Sequence, residues 1–297
     1  MFKSGFVSIV GRPNVGKSSL LNQILQTKLA IMSDTAQTTR NTIQGIYTTE
    51  HMQVVFVDTP GIHKPQDSLG NFMNKIALNS VFGVEIILFL APANETIGRG
   101  DRFIIERLKE NKTPIFLVLT KVDLVSNEQV IQKIQEWQGL LPFAEIIPLS
   151  AKTNINVDRL LQVMEQYLPE GNCYYDKQQL TDHPERFIIA EYIREKVIFY
   201  THDELPHNVA IVMEKMQQTD HGEVEVEATI IVNRKSQKGI IIGKQGATIK
   251  KIREAARRDC KKFLQAPIHL SLYVKVEKDW RNKPRYLKEL GYNEDEY

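Results

Sequence analysis

The stretch that decides the fold of the N-terminal half is Gly11-Arg12-Pro13-Asn14-Val15-Gly16-Lys17-Ser18, which fits the pattern G-x-x-x-x-G-K-[ST]. It lies between Phe6 to Val10, which predict a strand, and Ser18 to Leu29, which predict a helix. Its glycines let successive backbone N–H groups surround phosphate oxygens, and the helix start adds its positive end. Lys17 would neutralise charge on the β and γ phosphates, and Ser18 would ligate Mg²⁺. We therefore assign the whole stretch, with Ser19 after it, to nucleotide binding.

Outward from this loop, strands and helices alternate along the chain as far as Leu168. Apolar runs predict further strands at Val54–Val57, Ile86–Ala91, Ile115–Leu119 and Ile146–Leu149, and helical patterns lie at Arg102–Glu110, Glu128–Trp137 and Val157–Leu168. Strands that alternate with helices of about 10 to 15 residues are typical of βαβ units. We therefore expect residues 1–170 to form an α/β domain with a mainly parallel sheet.

Polar loops follow three of these strands, and the carboxyl ends of parallel strands meet at one ligand-binding edge. The loops are Asp58-Thr59-Pro60-Gly61, Thr120-Lys121-Val122-Asp123 and Ser150-Ala151-Lys152. Asp58 would hold a water on the metal, and the Gly61 N–H can approach the γ-phosphate because no Cβ intervenes. Asp123 can accept two hydrogen bonds from a guanine edge, which adenine cannot donate. The loop at Ser150 supplies further contacts to the base, so the four loops together predict a guanine-nucleotide site.

Composition bounds the class of protein. Apolar residues make up 42% and charged residues 25% of the 297 residues, which is ordinary for a globular protein. No apolar run approaches the ~20 residues of a membrane-spanning helix. The two cysteines, Cys173 and Cys260, exclude a disulfide scaffold and a multi-cysteine zinc site. These features favour a soluble protein of a reducing compartment.

Positive charge is concentrated in the C-terminal part. The whole chain has a net charge of only +2, but residues 233–288 hold 17 Lys and Arg against 4 Asp and Glu. Such a block indicates a polyanionic partner, although a solvated basic face explains the charge alone equally well.

The element order changes after a predicted linker at 171–184. A helix is predicted at Glu185–Tyr200, strands at Val209–Met216, Val224–Val232 and Ile268–Val276, a short apolar turn at Gly239–Ile242, and a basic helix at Ala247–Leu264. Between the last turn and the basic helix lies the G-x-x-G loop Gly243-Lys244-Gln245-Gly246. Trp280 would either stack on a base or cap the core.

These motifs carry a resemblance to known families. The first half resembles translation-factor-type GTPases, and residues 185–297, in the order α-β-β-α-α-β with a C-terminal tail, resemble a type II KH domain. The combination, with Gln37-Thr38-Thr39-Arg40 as switch I, is similar to bacterial ribosome-assembly GTPases. That resemblance implies GTP and GDP with Mg²⁺ as cofactors, and Thr39, with Thr38 as the alternative, as the second metal ligand.

The resemblance also implies partners and a location. KH loops clamp about four unpaired nucleotides, which assigns RNA binding to the loop and its surroundings: Ile242, Gly243, Lys244, Gln245, Gly246, Lys250 and Lys251. It implies binding near the 3′ end of small-subunit ribosomal RNA, in the assembling small subunit, by a cytoplasmic monomer. Peripheral contact with the inner face of the membrane is implied as well, although no amphipathic insertion helix is evident.

Two departures from the GTPase pattern affect catalysis. Thr120 stands where the fourth motif usually has Asn, and Ile62 stands where Ras-like enzymes place the Gln that orients the attacking water. We therefore expect slow basal hydrolysis, with Lys17, Thr39, Gly61 and Asn14 as the catalytic set. Related GTPases imply a K⁺ ion on the Asn14 side chain; the alternative is that Asn14 only makes a hydrogen bond within the turn. The alternatives are a GTP-dependent RNA-binding scaffold with negligible turnover, or a basic binder of DNA or membrane surfaces.

Overall fold

The computed structural model describes residues 1–33, 38–62, 67–201, 205 and 208–290. The chain divides into two compact units, one built mainly from residues up to Asp182 and the other mainly from residues after it. Among the residues that the structure describes, no helix has the length and apolar character needed to cross a membrane.

The first unit is built on a six-stranded sheet in the order β2-β3-β1-β4-β5-β6. Its strands are β1 (Lys3–Gly11), β2 (Ile43–Thr48), β3 (Met52–Asp58), β4 (Ile86–Pro92), β5 (Ile115–Thr120) and β6 (Glu145–Pro148). All neighbours are parallel except β2 and β3, which are antiparallel. Ile9 pairs with Asp58 and Pro92 with Thr120. The predicted motifs therefore lie at the same end of the sheet, where the parallel strands have their carboxyl ends.

The helices of the first half are α1 (Lys17–Leu25), α2 (Ser68–Asn79), α3 (Arg99–Leu108), α4 (Asn127–Gln138) and α5 (Val157–Tyr167). Every residue of β4 and β5 is buried, as expected for strands covered by helices on both faces. Helix α1 ends four residues earlier than predicted, because Gln26 takes a left-handed conformation with φ 51°. The side-chain carbonyl of Asn22 then accepts the N–H groups of Leu29 and Ala30, each at 2.9 Å.

Most of the predicted linker is packed against the first unit. Gln53 is fully buried on β3, and its Oε1 accepts the N–H groups of Tyr174 at 2.7 Å and Tyr175 at 3.0 Å. Its Nε2 donates to the Tyr175 carbonyl at 2.9 Å. Further along, the Ile46 N–H of β2 donates to the Leu180 carbonyl at 2.9 Å. The segment is thereby fixed along the edge strand β2.

The second unit contains α6 (Glu185–Tyr200), β7 (Ala210–Gln218), β8 (Val224–Val232), α7 (Lys235–Ile242), α8 (Ala247–Leu264), β9 (Ile268–Val276) and α9 (Pro284–Glu289). Strand β8 lies in the middle of a three-stranded sheet, antiparallel to β7 and parallel to β9. The predicted order α-β-β-α-α-β is present. The apolar turn predicted at Gly239–Ile242 is instead the end of α7, because the Gln237 side chain accepts the N–H groups of Asn233 and Arg234 and starts the helix earlier.

Trp280 belongs to the core of the second unit. Its side chain is completely buried, and its Nε1 donates to the Asn208 carbonyl at 3.2 Å. Of the two roles considered for Trp280, capping the core is the one that the structure supports.

Candidate functional site

The phosphate loop connects β1 to α1 and holds Lys17 within it. Asn14 and Gly16 take left-handed conformations, with φ 62° and 102°, which turn the loop around its centre. The buried Lys17 ammonium donates to the carbonyls of Gly11 at 3.2 Å and Arg12 at 2.9 Å. Burial lowers the pKa of Lys17 to about 8, against the attraction of Asp58. The lysine is thus placed beside the loop that would receive phosphates.

Three oxygen-bearing side chains from different parts of the chain meet beside Lys17. Ser18 Oγ donates to Asp58 Oδ2 at 2.8 Å and lies 3.0 Å from Thr39 Oγ1. Burial raises the pKa of Asp58 to about 6, opposed by Lys17 and Ser18. Its other oxygen, Oδ1, is buried with no hydrogen-bond partner among the described residues. Hydroxyl and carboxylate oxygens are the donors that Mg²⁺ prefers, so the cluster fits this ion.

Thr39 is the switch I threonine that reaches Ser18, which supports it over Thr38 as the candidate metal ligand. Gln37, the first residue of the predicted switch I motif, lies outside the described residues.

The loop after β3 lies directly against the phosphate loop. A Cβ on Gly61 would lie 2.6 Å from the Pro13 nitrogen, so only glycine allows this approach. Thr59 Oγ1 donates to the Ile9 carbonyl at 2.8 Å and fixes the start of the loop. Ile62 is buried in the same apolar cluster as Val10. Its side chain is therefore part of the core and cannot orient a water molecule.

Thr120, which stands where the fourth motif usually has Asn, contacts the phosphate loop through its hydroxyl. Its Oγ1 donates to the Val15 carbonyl of the phosphate loop at 2.7 Å, and the side chain is buried. Lys121 follows with a left-handed φ of 59°, and Asp123 lies half-buried in a single 3₁₀ turn. The fourth motif is thus attached to the phosphate loop at its first residue.

The loop after β6 is closed by its own backbone. Ser150 and Ile155 exchange N–H···O hydrogen bonds of 3.0–3.1 Å, and the Ser150 hydroxyl accepts the Thr153 N–H at 3.2 Å. Ala151 is half-buried and Lys152 exposed within this small turn.

Arg12 differs from the other residues of the phosphate loop. Its Nε donates to Asp101 Oδ1 at 2.8 Å, and its terminal nitrogen donates to Glu95 Oε2 at 3.1 Å. The sequence predicted Arg12 as a nucleotide contact, but its guanidinium is held by carboxylates of α3 and of the turn after β4. Sequence reasoning missed both carboxylates, because neither lies in a motif.

The G-x-x-G loop joins α7 to α8 in the second unit. Gly243 has a φ of 73°, and a Cβ there would lie 2.8 Å from the Thr248 nitrogen. Gly246 has a φ of 78°, and no described atom lies within 4 Å of the position that a Cβ would take, so the space beside this half-buried glycine is open. A groove of about 200 Å³ begins at this glycine and is lined by Gly246, Ile249, Lys250, Arg253 and Leu272.

Only some of the predicted RNA-binding residues line this groove. Lys250 lines it, Lys244 and Gln245 are exposed on the loop, and Ile242 is half-buried before it. Lys251 is exposed but is not a lining residue, because consecutive positions of a helix point about 100° apart. Leu272 of β9 lines the groove without belonging to any motif.

Comparison with known proteins gives one family match in the first half of the chain and another in the second half. Residues 6–121 match the family described as 50S ribosome-binding GTPase, and residues 204–281 match the KH domain family.

Two solved structures are similar to nearly the whole chain, each with 37% identity, covering 98% of this chain and 99% of the other. One is a variant of Aquifex aeolicus Era bound to GDP·AlF4⁻, with a TM-score of 0.94. The other is Era in complex with MgGDPNP and nucleotides 1506–1542 of 16S ribosomal RNA, with a TM-score of 0.95. The chain, with its P-loop GTPase domain and its KH domain, belongs to the Era family of GTPases.

Proposed function

We propose that this protein is a GTP-driven switch that binds small-subunit ribosomal RNA near its 3′ end and acts in assembly of the small subunit. The observation that carries the proposal is the Ser18–Asp58–Thr39 cluster beside Lys17, in a chain that also presents a G-x-x-G groove. Support for the RNA comes from the similar Era structure, which holds a 16S ribosomal RNA segment.

In the nucleotide site, each residue has a distinct task. Ser18 and Thr39 would ligate Mg²⁺ directly, and the buried Asp58 Oδ1 would hold one of its waters. When bound, Mg²⁺ neutralises charge on the β and γ phosphates. Lys17 would exchange its loop carbonyls for phosphate oxygens, whose negative charge stabilises the charged form that burial disfavours. Gly61 brings its backbone close to the loop where the γ-phosphate would lie.

Base recognition depends on Asp123 and on its attachment through Thr120. The carboxylate accepts two hydrogen bonds from guanine, while Ser150, Ala151 and Lys152 complete the base pocket. The hydrogen bond from Thr120 to the Val15 carbonyl keeps this pocket in register with the phosphates.

Acceleration of hydrolysis requires a group other than Ile62, whose side chain is buried. A K⁺ ion on the exposed Asn14 side chain, at a left-handed position of the loop, would stabilise charge that develops during phosphoryl transfer.

The second unit supplies the RNA site. The open space at Gly246 lets an RNA backbone approach the loop closely, Lys250 and Arg253 add positive charge along the groove, and Ile249 and Leu272 offer apolar contact to bases. We assign the division of labour as residues 1–170 for GTP, 171–184 as linker and 185–297 for RNA. In this proposal the protein acts in the cytoplasm and makes peripheral contact with the inner face of the membrane.

The test separates the two activities with one substitution in each unit. Asp123→Asn should lose GTP binding and gain xanthosine triphosphate binding, with RNA affinity unchanged. Gly246→Asp should abolish binding of a 3′-terminal ribosomal RNA fragment while it spares basal GTP hydrolysis, because the added Cβ meets no described atom within 4 Å and the negative charge lies at the groove where the RNA backbone would approach.

Gly222→Asp is the matched control, since Gly222 lies in the same unit, has a similar φ of 77° and, like Gly246, has no described atom within 4 Å of its side-chain position. Equal RNA affinity in the Gly246 and Gly222 variants would contradict the RNA assignment, as would equal competition by DNA or anionic vesicles. Equal competition by ATP and GTP would contradict the guanine assignment.

A further inference from the structure

Asp101 is a buried carboxylate that serves Arg12 of the phosphate loop. Its side chain is completely buried, Oδ1 accepts from Arg12 Nε at 2.8 Å, and Oδ2 accepts the Gly98 N–H at 2.7 Å. A buried charge is stable only when it is paired and hydrogen-bonded, and here both oxygens are used. The charge of the buried Asp101 is therefore balanced by the Arg12 guanidinium.

The start of α3 is shaped to receive the stem of this arginine. A Cβ on Gly100 would lie 2.8 Å from Arg12 Cδ, so glycine leaves the space that the stem occupies. The side chain of Arg12 is only 23% exposed as a result. The side chain of the second residue of the phosphate loop is thus held by α3.

Glu95 binds two motifs at once. Its Oε2 accepts from Arg12 at 3.1 Å, and its Oε1 lies 3.5 Å from the Nζ of Lys121. The turn that carries Glu95 is itself attached to the fourth motif, because the Ala93 N–H donates to the Thr120 carbonyl at 2.8 Å. One carboxylate therefore joins the phosphate loop to the loop that would recognise guanine.

We propose that Glu95 is a positioning residue that couples base recognition to the phosphate loop, with Asp101 as the anchor that gives Arg12 its direction. Glu95 fixes the Lys121 side chain relative to the loop, so that base and phosphates are held as one unit. The proposal rests on the proposed guanine-nucleotide function of this site.

The first experiment measures release of fluorescently labelled GDP by stopped flow. Glu95→Gln keeps the shape and removes the charge, and it should raise the dissociation rate constant of GDP about 2- to 5-fold, the range of a partly exposed ion pair. The KM for GTP should rise and kcat should stay unchanged, because the bound nucleotide and the transition state lose the same contact. Glu106→Gln is the matched control, since Glu106 of α3 forms an exposed ion pair with Lys109 at 2.6 Å.

The second experiment tests whether the coupling runs through Glu95. Arg12→Gln and Lys121→Met should have non-multiplicative effects on GDP release in the protein with Glu95, and multiplicative effects in the Glu95→Gln protein. Thermal unfolding of the nucleotide-free variants reports a merely structural role, which would lower stability without this pattern.

Two results would overturn the proposal in a parent protein that binds GDP. One is that Arg12→Gln and Lys121→Met have multiplicative effects on GDP release with Glu95 present. The other is that Glu95→Gln and Glu106→Gln release GDP at the same rate. A parent protein that does not bind GDP would remove the proposed function and this inference together.

Discussion

Replacing Gly61 by alanine tests how closely the loop after β3 must approach the phosphate loop. The added Cβ would lie 2.6 Å from the Pro13 nitrogen and 2.7 Å from its Cα, whereas ordinary contacts begin at 3.4 Å. The φ of Gly61 lies outside the left-handed region, so alanine adds no backbone strain of its own. The substitution is therefore almost purely a change of distance.

The size of the effect follows from that distance. The two loops must separate by roughly 0.8 Å, because the contacted atoms are backbone and a proline ring that cannot rotate away. Misplacement of about 1 Å in a catalytic arrangement lowers the rate on the order of 10²-fold. We therefore expect Gly61→Ala to lower kcat for GTP by about that factor, or roughly 2.7 kcal/mol of transition-state stabilisation.

The assay is single-turnover hydrolysis of saturating GTP, with GDP affinity measured in parallel by calorimetry. Gly139→Ala is the matched control, because Gly139 has an ordinary φ of −86° and open space at its side-chain position. A kcat for Gly61→Ala within about threefold of the parent would refute the reasoning. If Gly139→Ala lowered kcat by the same factor, the effect of Gly61→Ala could not be attributed to the close approach of the two loops.

Three further outcomes are expected. Turnover should be faster in KCl than in NaCl at equal ionic strength, and Asn14→Ala should abolish the difference; equal parent rates would reject the potassium site. Because burial lowers the pKa of Lys17 to about 8, affinity for GTP, measured by calorimetry, should fall as the pH rises from about 7 to 9, since binding then requires proton uptake. Thr120→Ala should lower the free energy of unfolding by about 1–3 kcal/mol in denaturant titrations, because the Val15 carbonyl loses a buried hydrogen bond, whereas Thr120→Ser should stay near the parent.

Elements with strong periodicity could be predicted from the sequence. The bounds of α6, β8, α8 and β9 agree with the prediction to the residue. Strand β2 was not predicted, because Ile43–Thr48 contains a glycine and several polar residues and is stabilised by pairing with β3. Local pattern does not contain that tertiary pairing.

The candidate nucleotide site was predictable where residues lie in contiguous motifs. The side-chain direction of Arg12 was not, since its partner Asp101 lies 89 positions away and has no motif of its own. The same limit applies to Leu272, which reaches the groove beside the G-x-x-G loop only because β9 pairs with β8.

The packing of residues 171–182 on the first unit determines what a shortened protein would expose. A fragment that ends at residue 170 would lose the carbonyl of Leu180 from β2 and the backbone groups that satisfy the buried amide of Gln53. It would then present an unpaired β edge, which is a template for edge-to-edge association between molecules. A fragment that ends after Asp182 retains this cover, so a soluble isolated GTPase unit must include the segment that the sequence assigns to the linker.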